Sequence, residues 1–319
     1  MNKIFIAGGS GFIGSNLCRA FSETNSEVFV FDSNIQYFYP MTKYSIKNME
    51  YRYKFLLNKV KIIRGNTLDI CDLRRSINEI KPNYIINLAA LPLATTSVKN
   101  SEEAFTSILE TTKNFLEIIR DFDFIKKYVH ISSSMIYGNF QKNPNPEDSL
   151  KEPIEIYGSF KLASEYIVKG YSKRYGINSV IVRPSAVYGP TDNNLRVIQK
   201  FIQTILDKGK ITVSNPKKNF LDFTYVKDIA EGIKLATLTK TSNLEIFNIT
   251  RGQGRSLYEV LEILKKKLGK FEVQITSDSG IYPKRGALDI TRARKILKFK
   301  PKFSLEDGID DYLLFLKNL

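Results

Sequence analysis

The chain opens on a pattern that few folds accommodate: a short apolar run, closely spaced glycines, then an amphipathic stretch. Lys3-Ile4-Phe5-Ile6-Ala7 reads as a buried strand. Gly8, Gly11 and Gly14 follow, with Phe12 and Ile13 between the last two, and Leu17, Ala20 and Phe21 then recur at helical spacing. Strand, glycine turn and helix together let a backbone approach a pyrophosphate closely, and the helix N-terminus stabilises the anion. The next strand, Glu27-Val28-Phe29-Val30-Phe31, ends in Asp32. An acid at that strand end suits the hydroxyls of an adenosine ribose and repels a 2′-phosphate, so NAD is expected in preference to NADP.

Strands and helices go on alternating. Val60-Lys61-Ile62-Ile63-Arg64 reads as a third strand, followed by Asn66, Thr67 and Asp69, where an adenine edge would be read. A helix over 72–80 leads to the strand Tyr84-Ile85-Ile86-Asn87, whose small followers Leu88, Ala89 and Ala90 leave room for a cofactor. A helix over about 102–121 precedes the strand Lys127-Tyr128-Val129-His130-Ile131. This order predicts an α/β chain with a parallel, doubly wound sheet. Residues 33–59 form a Tyr-rich connection (Tyr37, Tyr39, Tyr44, Tyr51, Tyr53), and a substrate-covering or subunit-contacting role is left open for it.

Ser132-Ser133-Ser134-Met135-Ile136-Tyr137-Gly138 follows the fifth strand, and Tyr157-Gly158-Ser159-Phe160-Lys161 opens a long helical pattern. Tyr157 and Lys161 are four apart and share one helix face. A nearby ammonium favours the phenolate, drawing a Tyr pKa down from about 10. A phenolate beside a Ser hydroxyl is a base for an alcohol or an acid for a ketone. His130, the one histidine, lies inside the strand and reads as a core residue.

Lys and Arg number 48 against 33 Asp and Glu, a net charge of +15. The charges are scattered and no nucleic-acid module appears, so they read as a solvated surface that attracts anionic substrates, with no nucleic-acid partner. Cys18 and Cys71 have no metal-ligand spacing, so neither a metal site nor a disulfide framework is expected, and the cytoplasm is the expected compartment. No apolar run reaches membrane-spanning length, and no signal peptide is visible.

The glycine turn, Asp32, Asn87-Leu88-Ala89-Ala90, the serine segment and the Tyr157/Lys161 pair together resemble the extended short-chain dehydrogenase/reductase superfamily of nucleotide-sugar epimerases, dehydratases and dehydrogenases. Arg183-Pro184-Ser185-Ala186-Val187-Tyr188-Gly189-Pro190, Asp222-Phe223-Thr224-Tyr225-Val226-Lys227-Asp228 and Phe247-Asn248-Ile249 extend the resemblance over nearly the whole chain. It implies that Tyr157 is the base, that Lys161 lowers its pKa and binds the nicotinamide ribose, and that Ser133 is the catalytic hydroxyl. It places Pro184 with the cofactor. It implies an NAD-binding half, 1–183 and about 222–250, and a nucleotide-sugar half, about 184–221 and 251–319, sharing a sheet edge around the sugar. It also implies a homodimer built on the helices at about 102–121 and 153–175.

Departures from the family pattern narrow the chemistry. Ser134 and Met135 stand where 4,6-dehydratases carry acids, and neither can transfer a proton at neutral pH, so dehydration is not expected. Ala186 and Leu221 replace an Asn and an Arg that contact a diphosphate in the family, and Asn66 replaces an Asp. Arg196 and Arg285 are therefore the candidate diphosphate cations, since a guanidinium bonds two oxygens at once. Ser134 and Met135 would line the sugar pocket. The chain is similar to bacterial enzymes acting on GDP-heptoses in capsule synthesis, which implies a C4 dehydrogenase releasing a 4-keto sugar. The alternative is a nucleotide-sugar 4-epimerase, and a non-catalytic NAD-binding regulator is the second class.

Overall fold

A computed structural model describes residues 1–35, 41–92, 94–277 and 283–319. Tyr37 and Tyr39 of the Tyr-rich connection, and Tyr282 beside Arg285, lie outside the described residues. The chain runs β1 (Asn2–Ala7), α1 (Phe12–Ser22), β2 (Ser26–Asp32), α2 (Lys43–Tyr51), β3 (Lys61–Arg64), α3 (Ile70–Ile80) and β4 (Tyr84–Asn87). Next come α4 (Ala94–Lys99), α5 (Ser101–Phe105), α6 (Thr111–Ile119), β5 (Lys127–Ile131), α7 (Ile156–Tyr175) and β6 (Ser179–Pro184). A π-helical turn, Thr106–Glu110, joins α5 to α6, so the helix expected over 102–121 forms with one widened turn.

These strands build one seven-stranded sheet in the order β11-β6-β5-β4-β1-β2-β3, where β11 is Glu245–Ile249. Every pairing in it is parallel. Parallel strands need crossovers and helices on both faces, which is why β1, β5 and β6 are near-continuous apolar runs. Leu17, Phe21, Ile233 and Phe247 fill one face, and Leu73, Ile77, Phe115 and Val168 the other. The strand order reverses between β1 and β4, and a crevice opens there beyond the carboxyl ends. The glycine turn leads into it. A Cβ on Gly14 would lie 2.3 Å from the Gly8 carbonyl oxygen, so a side chain there would push the turn open.

After β6 the chain leaves the sheet through β7 (Val187–Tyr188), α8 (Val197–Lys208), β8 (Lys210–Ser214), β9 (Phe220–Asp222) and β10 (Thr224–Tyr225). It returns with α9 (Val226–Leu238) and β11, then forms β12 (Gly254–Ser256), α10 (Leu257–Leu268), β13 (Glu272–Thr276) and α11 (Leu305–Lys317). Ser256 with Glu259, and Ser304 with Asp307, close capping boxes at α10 and α11. Ile202, Val213, Leu264, Ile309 and Tyr312 form a separate core for this second half. The expected shared sheet edge is not found among the described residues. The small strands pair among themselves, β10 with β7, β12 with β9 and β13 with β8. None of them joins the large sheet, and the halves meet through side chains instead. Ile290, Ala293, Leu297 and Phe299 cross back to pack in the first half's core.

Candidate active site

Apart from Asp69, the residues singled out above as site candidates face one cleft of about 590 Å³ between the two halves. Its floor is the ends of β4 and β5 and the helix α7. Ser133 sits just past β5, where its Oγ accepts from the Met135 N–H at 3.2 Å and caps the short 3₁₀ turn Ser134–Tyr137. Tyr157 occupies the first turn of α7, and Lys161 one turn on. The Lys161 ammonium donates to the Ile131 carbonyl at 2.8 Å and lies 5.8 Å from the Tyr157 ring centre. Burial pulls its pKa down to about 8.

Tyr157 departs from expectation. Burial raises its pKa above the ordinary value, and the groups that pull it back are the Arg196 guanidinium and the Ser133 hydroxyl. The Lys161 ammonium is bound to the Ile131 carbonyl instead, and no bond from it to the phenol is present. His130 is a core residue, 2% exposed, with Nε2 2.9 Å from the Ser164 hydroxyl.

Behind these residues lies a buried polar layer. Arg183 of β6 donates to both Glu165 carboxylate oxygens, at 2.8 and 2.7 Å, and to the Tyr137 hydroxyl at 2.7 Å. Tyr137 in turn donates to Asn248 of β11 at 2.8 Å. Such a fully satisfied network fixes the segment that carries Ser133.

The other wall holds the glycine turn. A Cβ on Gly11 would meet only the Gly8 carbonyl, at 3.3 Å, and otherwise project into open space. That space is what a pyrophosphate approaching the backbone requires. The Ser10 hydroxyl is buried there without a partner among the described residues. The Asp32 carboxylate accepts from the Ser10 N–H at 2.9 Å and from the Asn34 N–H at 2.8 Å, which orients it at the strand end. Thr67 Oγ1 pairs with Thr111 Oγ1 at 2.9 Å, and Asn66 closes a turn onto the Leu68 N–H. Asp69 departs from expectation: its carboxylate caps α3 through the Cys71 and Asp72 N–H groups and is occupied there. Phe12, Ile13, Gly14, Leu88, Ala89, Ala90 and Pro184 complete this wall. An open backbone turn, a free hydroxyl and a strand-end carboxylate together fit NAD.

Arg196 and Arg285 also line the cleft. Arg196 bonds Asp192 at 2.9 Å and lies over the Phe12 ring, 5.4 Å from its centre. Arg285 donates to the Met135 sulfur at 3.4 Å, and its buried Nε has no partner among the described residues. Burial pulls the Arg285 pKa down to about 10, against the pull of Glu155. Sequence reasoning missed Arg52 and Asp222. The first lines the cleft from the Tyr-rich connection, and the second accepts from the Leu288 N–H at 2.9 Å and the Thr250 hydroxyl at 2.8 Å, pinning the stretch that follows Arg285.

The family model of the NAD dependent epimerase/dehydratase family matches residues 4–250. The chain belongs to that family. Members similar to it along their whole length include the UDP-glucuronate 4-epimerase of Thermodesulfobacterium geofontis, 28% identical over 97% of this chain and 94% of the other. The uncharacterized UDP-glucose epimerase YtcB of Bacillus subtilis is 27% identical over 99% and 98%. Among solved structures, the UDP-glucuronic acid 4-epimerase of Bacillus cereus, in complex with UDP-glucuronic acid and NAD, superposes with a TM-score of 0.88 at 29% identity, covering 99% of each chain. NAD is thus the cofactor of this epimerase/dehydratase family member. No helix among the described residues is long and apolar enough to cross a membrane.

Proposed function

We propose that the chain is an NAD-dependent nucleotide-sugar 4-epimerase acting on a UDP-hexose or UDP-hexuronate. The observation that carries this reading is the end-to-end likeness to UDP-glucuronate 4-epimerases. The site supports it, because Ser133, Tyr157 and Lys161 converge while Ser134 and Met135 offer no acid for loss of water. The alternative from the sequence therefore displaces its leading expectation, release of a 4-ketone from a GDP-heptose.

Tyr157 takes the proton of the C4 hydroxyl as the C4–H bond is broken, and gives a proton back when the ketone is reduced. When bound, NAD supplies the acceptor for the C4 hydride and the donor that returns it to the opposite face. Ser133 bonds the C4 oxygen, and with Arg196 it favours the phenolate over the phenol. Lys161 holds the nicotinamide ribose, and Asp32 the adenosine ribose. The Arg196 and Arg285 guanidiniums take the diphosphate, and Met135 packs on the sugar. Residues 1–183 and 222–250 form the cofactor half, joined by 290–299, and the remainder forms the nucleotide-sugar half. We also propose a homodimer through α5–α6 and α7, where Phe105 and Tyr166 are 44% and 62% exposed. Cys18 and Cys71 are both free thiols, as a cytoplasmic enzyme would keep them.

The test is incubation with UDP-glucuronate, UDP-glucose or a GDP-heptose and catalytic NAD, followed by proton NMR. The expected product is the C4 epimer of a UDP-sugar, with no net absorbance of reduced cofactor. Stoichiometric NADH with a 4-ketone would replace this reading with a dehydrogenase, and a new C6 methyl signal with a dehydratase.

A further inference from the structure

The Tyr-rich connection supplies a buried cation that the catalytic reading does not use. The helix α2 passes without a break into a π-helical turn, Arg52–Leu56, and Arg52 is 6% exposed. Its guanidinium donates to the Ser10 carbonyl of the glycine turn at 3.2 Å and to the Thr191 carbonyl in the loop after β7. One turn earlier, Asn48 donates to the Asp192 carbonyl at 3.1 Å and to Asn193 Oδ1 at 2.8 Å, and the Asn193 amide returns to the Ser45 carbonyl at 3.0 Å. The two lips of the cleft, cofactor turn and substrate loop, are thus tied together by one helix. The tied loop also carries Arg196.

This is a costly way to pack a helix. Arg52 Nε is buried without a partner among the described residues, and the nearby Arg196 charge opposes it, with Asp192 and Asp32 compensating. An apolar side chain would fill the space more cheaply. The position explains the charge, because Arg52 lines the cleft beside the glycine turn, where the anionic part of a bound dinucleotide would sit.

We propose that Arg52, braced against the loop that Asn48 fixes, is a retention clamp that slows escape of the dinucleotide cofactor between the two hydride transfers. This rests on the epimerase reading, in which the reduced cofactor must stay until the ketone has turned over. Its loss at that point would strand a ketone and an enzyme unable to complete the cycle.

The test measures exchange of bound NAD for labelled NAD in wild type, Arg52→Met, Arg52→Lys and Asn48→Ala, with no sugar present. Exchange in Arg52→Met should be at least about 10-fold faster, the scale of a lost charge-assisted hydrogen bond. Arg52→Lys should fall between it and wild type, and Asn48→Ala should show a smaller acceleration at a near wild-type melting temperature. Unchanged exchange in folded Arg52→Met overturns the clamp. Where that variant does not fold, unchanged exchange in Asn48→Ala overturns it. Because no turnover is involved, the result is separate from the reaction itself, whose failure would show as NADH accumulating in wild type.

Discussion

Tyr157 carries the proton transfer in this reading, and its environment says what should help it. Tyr157→Phe keeps the ring and its packing, so NAD binding and folding should survive while kcat falls by at least ~10²-fold, the usual contribution of a positioned acid or base. Near wild-type turnover in a folded, saturated Tyr157→Phe enzyme would end that assignment. Lys161 is buried and its pKa is depressed from 10.5 to about 8. The sign follows: between pH 8 and 10.5 the folded state holds fewer protons than the unfolded chain, so stability from this group rises with pH through that window. Lys161→Met should remove that slope and leave the melting temperature at pH 7 no lower than wild type, while turnover drops. Melting curves at pH 7 and pH 10 measure the first, and steady-state rates the second. The Tyr157/Lys161 spacing was legible in the sequence because four residues on a helix fix a shared face. The source of the pull on the phenol was not, because Arg196 reaches Tyr157 only through the folded loop after β7.

The strand–helix ties rest on buried charge. Arg183 on β6 and Glu165 on α7 are both fully buried, and breaking such a pair leaves the surviving charge unpaired. Arg183→Met should cost about 3–5 kcal/mol in denaturant unfolding, and neutralising Glu165 as well should recover part of it. Asp222, at the end of β9, is raised to about 6 from 3.8 by burial. Its folded form binds more protons in that interval, so stability from this group falls as pH rises from 3.8 to 6. Asp222→Asn should flatten that dependence but put an N–H against a backbone N–H, at a cost of about 1–3 kcal/mol. Because Asp222 pins Leu288, KM for the nucleotide sugar should rise with little change in kcat. Steady-state kinetics at pH 7.5 decide it, and an unchanged KM would detach Asp222 from the Arg285 segment. Five of the seven sheet strands, β1 to β5, were readable from their apolar runs and the turns between them, while β6 and β11 entered only as segments of the family pattern. The role of α2 was not readable, because its Tyr- and Lys-rich sequence buries only Asn48, through bonds to residues far along the chain.

Pairing of two copies would cover the exposed aromatic face of α5 and α7, where Phe105 meets Phe160 edge to face at 5.7 Å. Light scattering at micromolar concentration should give twice the 36.5 kDa chain mass, and Tyr166→Lys should shift it to the single-chain value. A monomeric wild type would defeat the pairing. The proposed division into two halves rests on the family resemblance, since no linker in the sequence marks a boundary. The crossing of 290–299 into the first core was not legible, because apolar residues scattered through a basic stretch have no address until the fold supplies one. The bond from Arg52 to Thr191 spans 139 positions along the chain. At a synthesis rate of about 5–20 residues per second, Arg52 leaves the ribosome roughly 7–30 s before its partner carbonyl. The nascent chain therefore carries a guanidinium matched on one side only, by Ser10, at the mouth of its nucleotide site until the loop after β7 emerges to supply the second carbonyl.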